Sequence, residues 1–205
     1  MLNDMTLNYR FRKLVCFVSF IILFLYSLPY GIFADTYSIR KGNSFPNISL
    51  EGPFFQNDKR YLGLSEKKVY SMNNIRAEFV LIEFFSIYCP VCQTNADKFN
   101  RLHKLMEKDN LIDRKMKMIG IGIGNNNNEV EYFKKYFSIQ YPCMADPDFR
   151  IHKSLNEPRT PLLIIIDKRT TPYKIVSVLD LSMEPESLIK YIRDEIHNIQ
   201  SSMFK

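Results

Sequence analysis

Cys89 and Cys92, separated by Pro90 and Val91, are the residues of this 205-residue chain whose types and spacing most directly imply chemistry. A Cys-X-X-Cys pair can close a disulfide within itself and exchange it with another molecule. The exchange runs through a mixed disulfide, in which one thiolate attacks and the neighbouring thiol resolves. Because the thiolate is the reactive form, the pair needs a setting that stabilises negative sulfur. Cys89 stands where an apolar run, residues 79–85, gives way to a helical pattern. Free amides and the dipole at a helix N-terminus favour an anion there. Pro90 suits the first helical position, where its missing N–H would have been unpaired anyway. Attack is therefore assigned to Cys89 and resolution to Cys92. The competing assignment is a static disulfide that staples the fold.

Other chemistries find less support. The remaining cysteines are Cys16, inside an N-terminal apolar run, and Cys143, which reads as a small buried side chain. A zinc site would need a second Cys-X-X-Cys or a histidine pair at ligand spacing, and neither is present. His103, His152 and His197 are far apart in sequence and read as surface helix residues. No metal and no bound cofactor are expected. Glu83 stands out as an acid inside the apolar run before Cys89. Burial there raises the cost of its charge and drives its pKa upward. It either serves the thiol chemistry or pairs with a lysine of the adjacent strand such as Lys117.

The elements around these residues read as follows. Residues 45–50 form an opening strand, and 51–78 contain a hairpin or a short helix. Residues 79–85 are nearly continuously apolar, as in a strand covered on both faces. Helical spacing of Val91, Phe99, Leu102, Leu105 and Met106 predicts a helix to about Asn110, and 117–123 a second buried strand. After the asparagine run that begins at Asn125, Asn128 is the predicted helix cap with Glu131 as its reciprocal partner. That helix is expected to bury Tyr132, Phe133, Tyr136 and Phe137. Two further strands follow at 162–166 and 174–179. A final amphipathic helix starts near Pro185, with Leu188, Ile189, Ile192, Ile196 and Ile199 in phase. Strands alternating with helices, then two consecutive strands and a closing helix, indicate an α/β fold with helices on both faces of the sheet.

Ahead of this domain, Arg10, Arg12 and Lys13 precede an uncharged, mostly apolar run over 14–34. A run of that length can cross a bilayer, and basic residues before it direct the rest of the chain outward. The two readings are a cleaved signal peptide ending at Ala34, with Ile32 a bulky choice near the cut, and a retained membrane anchor. Residues 1–34 thus form an export segment, 35–44 a linker and 45–205 one domain. The formal charge of +6 falls to about +4 once residues before Asp35 are removed, and it forms no Lys/Arg run, which argues against a nucleic-acid partner.

Phe84-Phe85-Ser86-Ile87-Tyr88-Cys89-Pro90-Val91-Cys92 resembles the active-site stretch of the thioredoxin superfamily, most of all its redoxin, or TlpA-like (AhpC/TSA-related), branch outside the cytoplasmic membrane. Arg159-Thr160-Pro161 and the apolar run after it resemble that family's cis-proline loop and following strand, and Phe45-Pro46-Asn47 its opening motif. The resemblance spans roughly 44–200. It implies a thioredoxin fold with a central mixed sheet, and a cis bond at Thr160–Pro161. It also implies a shallow substrate groove beside Cys89, to which Thr160, Pro161, Tyr88, Pro90 and Val91 belong. Thr160 would pair its backbone with the substrate chain, and Glu83 would assist proton transfer at Cys92. By the same resemblance, the partners are exported protein thiols and disulfides, including apocytochrome c, with electrons from a membrane donor and an inner-membrane tether if the N-terminal segment is kept. Reduction is the direction implied, in the periplasm. Two departures stand out: Tyr88 replaces the tryptophan often found before the first cysteine, and Cys143 replaces an apolar residue.

Two rivals remain. A peroxiredoxin-like thiol peroxidase is favoured by Ser86, three residues before Cys89, but the proline expected seven residues before that cysteine is Ile82. A non-catalytic, membrane-attached binding module would keep Cys89–Cys92 as a structural disulfide.

Overall fold

The computed structural model of the protein describes residues 39–52, 54–66 and 69–202. The expected export segment, 1–34, and the first residues of the expected linker lie outside the described residues. Among the described residues no helix is long and apolar enough to cross a membrane.

In chain order the elements are β1 (Ser44–Phe45), β2 (Ser49–Leu50), α1 (Gln56–Leu62), β3 (Tyr70–Ser71), a 3-10 turn (Met72–Asn74), β4 (Phe79–Phe85), α2 (Pro90–Lys108), α3 (Asn110–Lys115), β5 (Met116–Ile123), α4 (Asn127–Tyr136), β6 (Cys143–Asp146), α5 (Arg150–Ser154), β7 (Leu162–Asp167), β8 (Tyr173–Val178) and α6 (Pro185–Ser202). Six strands form one mixed sheet in the order β1-β8-β7-β4-β5-β6, and β2 pairs with β3 in a small second sheet. β4 runs parallel to β5 and antiparallel to β7, while β5 runs parallel to β6. The fold is α/β, with the mixed thioredoxin-type sheet that the resemblance implies.

Every residue of β4 is buried, because alternation sends its side chains into two separate cores. Phe79, Leu81 and Phe85 pack with α2 and α6 through Phe99, Leu102, Leu188, Ile192 and Ile196. Val80, Ile82 and Phe84 pack on the other face with Leu62, Leu155 and the small sheet. Each fully buried phenylalanine contributes up to about 3 kcal/mol of apolar burial, which makes β4 a firm base for the segment that follows it.

The unassigned region, 51–78, holds both predicted alternatives: the helix α1, and β3 returning to pair with β2. Of the expected linker, Gly42 N–H donates to the Ile175 carbonyl at 2.8 Å and Ser44 already belongs to β1. Two expectations on α4 are corrected. Its cap is Asn126, not Asn128, with Glu129 as the reciprocal partner. A run of equivalent asparagines offers several caps, and the acid three residues after Asn126 completes the box. Tyr132 and Tyr136 are exposed and stack on each other, while Val130 and Phe133 face the core. His103 is likewise corrected, being 2% exposed on the apolar face of α2. It falls in phase with Phe99 and Met106, and spacing outweighs polarity there.

Gly120 and Gly122 keep the α2 side of β5 bare. A Cβ at Gly120 would lie 2.7 Å from the Cys143 Sγ and 3.1 Å from the Phe85 ring. Gly120→Ala should therefore lower stability by about 1–3 kcal/mol. Urea unfolding should show part of that loss recovered when Cys143→Ala is added, since the sulfur is the closest obstruction.

Candidate active site

The chain leaves β4 at Phe85 and turns through Ser86, Ile87 and Tyr88 into α2. Several bonds pin this turn. The Cys89 amide donates to the Ser86 carbonyl at 3.1 Å. The Ile87 amide donates to Asn125 Oδ1 at 3.0 Å, and Gln93 Nε2 donates to the Ile87 carbonyl at 2.7 Å. The Tyr88 hydroxyl donates to Glu129, at the start of α4. Loops from two parallel strands are thereby tied together in front of the helix.

Cys89 is the N-cap of α2, and its Sγ accepts from the Cys92 amide at 3.3 Å. The same sulfur is 3.5 Å from the Thr160 carbonyl, and the Thr160–Pro161 peptide is cis. Thr160 and Pro161, distant in sequence, thus come to the side of Cys89. Cys89 is half-buried, and Tyr88 and Val91 flank it with 68% and 55% of their surface exposed. Pro90 is exposed at the first helical position.

The two thiols differ in acidity. Partial burial disfavours the Cys89 thiolate, but hydrogen bonds from the Cys92 thiol and amide, then from Thr160 and Val91, outweigh it and lower the pKa. Cys92 is fully buried, and burial first, then its bond with Cys89, pushes its pKa up strongly. The surroundings favour the anion at one sulfur and the neutral thiol at the other.

Glu83 is 1% exposed and lies on the face of β4 that carries Leu81 and Phe85, in the core that contains Cys92. Burial pushes its carboxyl up to about 7, against a hydrogen bond from the Tyr141 hydroxyl that lowers it. The lysine alternative fails: Lys117 pairs with Asp113 at 2.8 Å. Among the described residues there is no cluster of metal-ligating side chains.

Sequence reasoning missed three contributors. Tyr141 holds Glu83, Asn125 holds the turn at Ile87, and Glu129 holds Tyr88. Each acts across 38 or more positions of the chain, so no local spacing could announce it.

The sequence profile of the AhpC/TSA family matches residues 42–175. No curated protein matches the chain. Among solved structures, a candidate protein disulfide isomerase from Bacteroides thetaiotaomicron is 24% identical with a TM-score of 0.58, over 78% of this chain and 92% of that one. The thioredoxin domain of a thiol-disulfide oxidoreductase from Bacteroides vulgatus is 14% identical with a TM-score of 0.56, over 77% and 98%. A DsbF homologue from Corynebacterium diphtheriae is 20% identical with a TM-score of 0.53, over 78% and 90%. The TM-scores establish a shared fold.

Two measurements follow from the geometry. Iodoacetamide applied to the native, reduced protein should label Cys89 first, with an apparent pKa below the ordinary 9.0 of a thiol. Equal labelling of Cys92 or Cys143 would contradict the arrangement. The second concerns stability. Glu83 is neutral in the folded state up to about 7 but ionises near 4.5 when unfolded. Its contribution is therefore intact below 4.5 and is lost as pH rises toward 7, by about 3 kcal/mol. Urea titrations of Glu83→Gln should lack that slope.

Proposed function

The chain belongs to the AhpC/TSA family and is a thioredoxin-like thiol–disulfide oxidoreductase, and from that premise we propose that it reduces disulfides of exported proteins with Cys89 and Cys92 as its working dithiol. In this reading the Cys89 thiolate attacks one sulfur of the substrate disulfide. A mixed disulfide forms, and the departing substrate sulfur takes a proton. Glu83, in its carboxylate form, accepts the Cys92 proton. The Cys92 thiolate then attacks the Cys89 sulfur, closing Cys89–Cys92 and releasing the second substrate thiolate, which is protonated in turn. Two electrons have passed from the dithiol to the substrate.

The observation that carries this reading is the placement of one half-buried sulfur at the start of α2, beside the Thr160 carbonyl and one turn from a buried thiol. Thr160 and Pro161 would hold the substrate backbone, with Tyr88, Pro90 and Val91 as the surface it lies on. A periplasmic location is supported by Arg10, Arg12 and Lys13 ahead of the apolar run over 14–34. In that arrangement 35–44 lead from the export segment to the domain, and a membrane dithiol donor would restore the reduced pair. Apocytochrome c is one exported substrate of the required chemistry.

The test is a redox titration of the full chain in detergent against glutathione and dithiothreitol buffers, paired with a trapping variant. A potential near about −270 mV is expected of a reductase, whereas one near −120 mV would mark an oxidase. Cys92→Ser should accumulate mixed disulfides with exported proteins through Cys89, and Cys89→Ser should form none. A pair that cannot be reduced without unfolding the domain would leave only the structural staple.

A further inference from the structure

We infer that Tyr141 is a positioning residue for the thiol chemistry, aiming the Glu83 carboxyl and setting the pH at which it can take the Cys92 proton. This rests on the reading of Glu83 as the acid–base group of the resolving step.

The placement is built into the sheet. Glu83 of β4 pairs with Gly120 of β5, and Gly120 pairs with Cys143 of β6, so the three form one row across the parallel strands. Tyr141 stands two residues before Cys143, and the Gly120 amide donates to the intervening Pro142 carbonyl at 2.8 Å. Alternation puts Tyr141 and Cys143 on the same side. With no side chain on Gly120, the phenol ring crosses β5: a Cβ there would lie 3.4 Å from Tyr141 Cε2. The hydroxyl then donates to Glu83 Oε2. Tyr141 has no exposed surface, and its ring packs 5.6 Å from that of His103. Glu83 Oε1 is buried with no hydrogen-bond partner among the described residues. The phenol is thus the contact that orients the carboxyl, and its own pKa is raised well above 10.0, first by burial, so it stays a donor throughout the working range.

The surroundings leave Glu83 as the group that changes charge near neutrality. From α2 come Cys92 and His103. The Cys92 thiol is pushed up by burial, and His103 is held neutral by burial and by Lys117, with its pKa down to about 4. From β6 comes Cys143, also pushed up by burial, with Lys134 and Asp58 in electrostatic range of it. β7 and α6 contribute apolar side chains, Leu163, Leu188 and Ile192. The Tyr141 hydroxyl is in electrostatic range of Glu83, Cys143 and Cys92 together.

The test follows the resolving step alone. Ellman's reagent releases one thiolate when Cys89 attacks it and a second when Cys92 attacks the resulting mixed disulfide. The second phase, followed in the full chain, should rise with pH along a limb set by Glu83. Tyr141→Phe keeps the ring and removes the donor, so this limb should move up by about 1–2 pH units, as expected for losing a hydrogen bond to a charged group. Site-specific 3-fluorotyrosine at position 141, a stronger donor in the same packing, should move it down. A limb that stays in place in both variants, or a rate that falls equally at every pH, overturns the role of Tyr141. Glu83→Gln separates the two readings. Loss of the limb in that variant upholds Glu83 as the group titrating, whereas an unchanged limb would remove the premise as well.

Discussion

A carboxyl group held out of water in the central strand is the constraint around which this site is arranged. Glu83 sits where every neighbour along β4 is apolar, and burying a carboxyl there is costly. The fold limits that cost through protonation and through one hydrogen bond from Tyr141. That bond requires a bare β5 at Gly120, a ring long enough to cross it, and β6 in parallel register beyond. Leucine at position 83 would pack well in such a place. In the proposed reading this acid does what a carboxyl near neutrality can do, which is to move a proton at the buried thiol in the same core.

The second division of labour is between the two sulfurs. Both belong to the first turn of α2, yet their surroundings push their acidities apart. Cys89 stands at the cap, where the helix amides point outward, and collects hydrogen bonds that favour its anion. Cys92 is turned into the core, where an anion has little to solvate it. Helical geometry thus separates the two acidities, which suits the proposed roles of Cys89 as nucleophile and Cys92 as a thiol that needs a base. In the proposed reading that base is Glu83, which shares this face of the sheet.

How much of this was legible in the sequence depends on the range of the interaction. β4, β5, β7 and α6 were readable because their signals are local: continuous apolar runs for buried strands, and a 3.6-residue period for the helix. The Cys89–Cys92 spacing and the acid in the strand were readable for the same reason. The segment 51–78 was not, since its helix and its strand are each short and are fixed by packing on the face opposite α2. His103 misled because its polarity suggested surface while its phase with Phe99 and Met106 placed it inside. Tyr141, Asn125 and Glu129 act on residues far away in sequence, so only the parallel register of β4, β5 and β6 brings them to the site.

The same register bears on which thiol chemistry this site favours. A hydroperoxide is small and is best served by an enclosed, polar pocket around a single cysteine. Cys89 instead lies beside a backbone carbonyl at a cis-proline loop, flanked by the largely exposed Tyr88 and Val91. Such a surface is open and partly apolar, and it presents a backbone carbonyl next to the sulfur. An extended polypeptide can use all three features, by pairing its main chain with Thr160 and laying side chains on Tyr88 and Val91. The tie from Tyr88 to Glu129 keeps that surface in place without drawing its ring into the core. With the resolving thiol in the same helical turn, neither attack requires a second cysteine to arrive from elsewhere. Protein disulfide exchange therefore accounts for more of the site's features than peroxide reduction does.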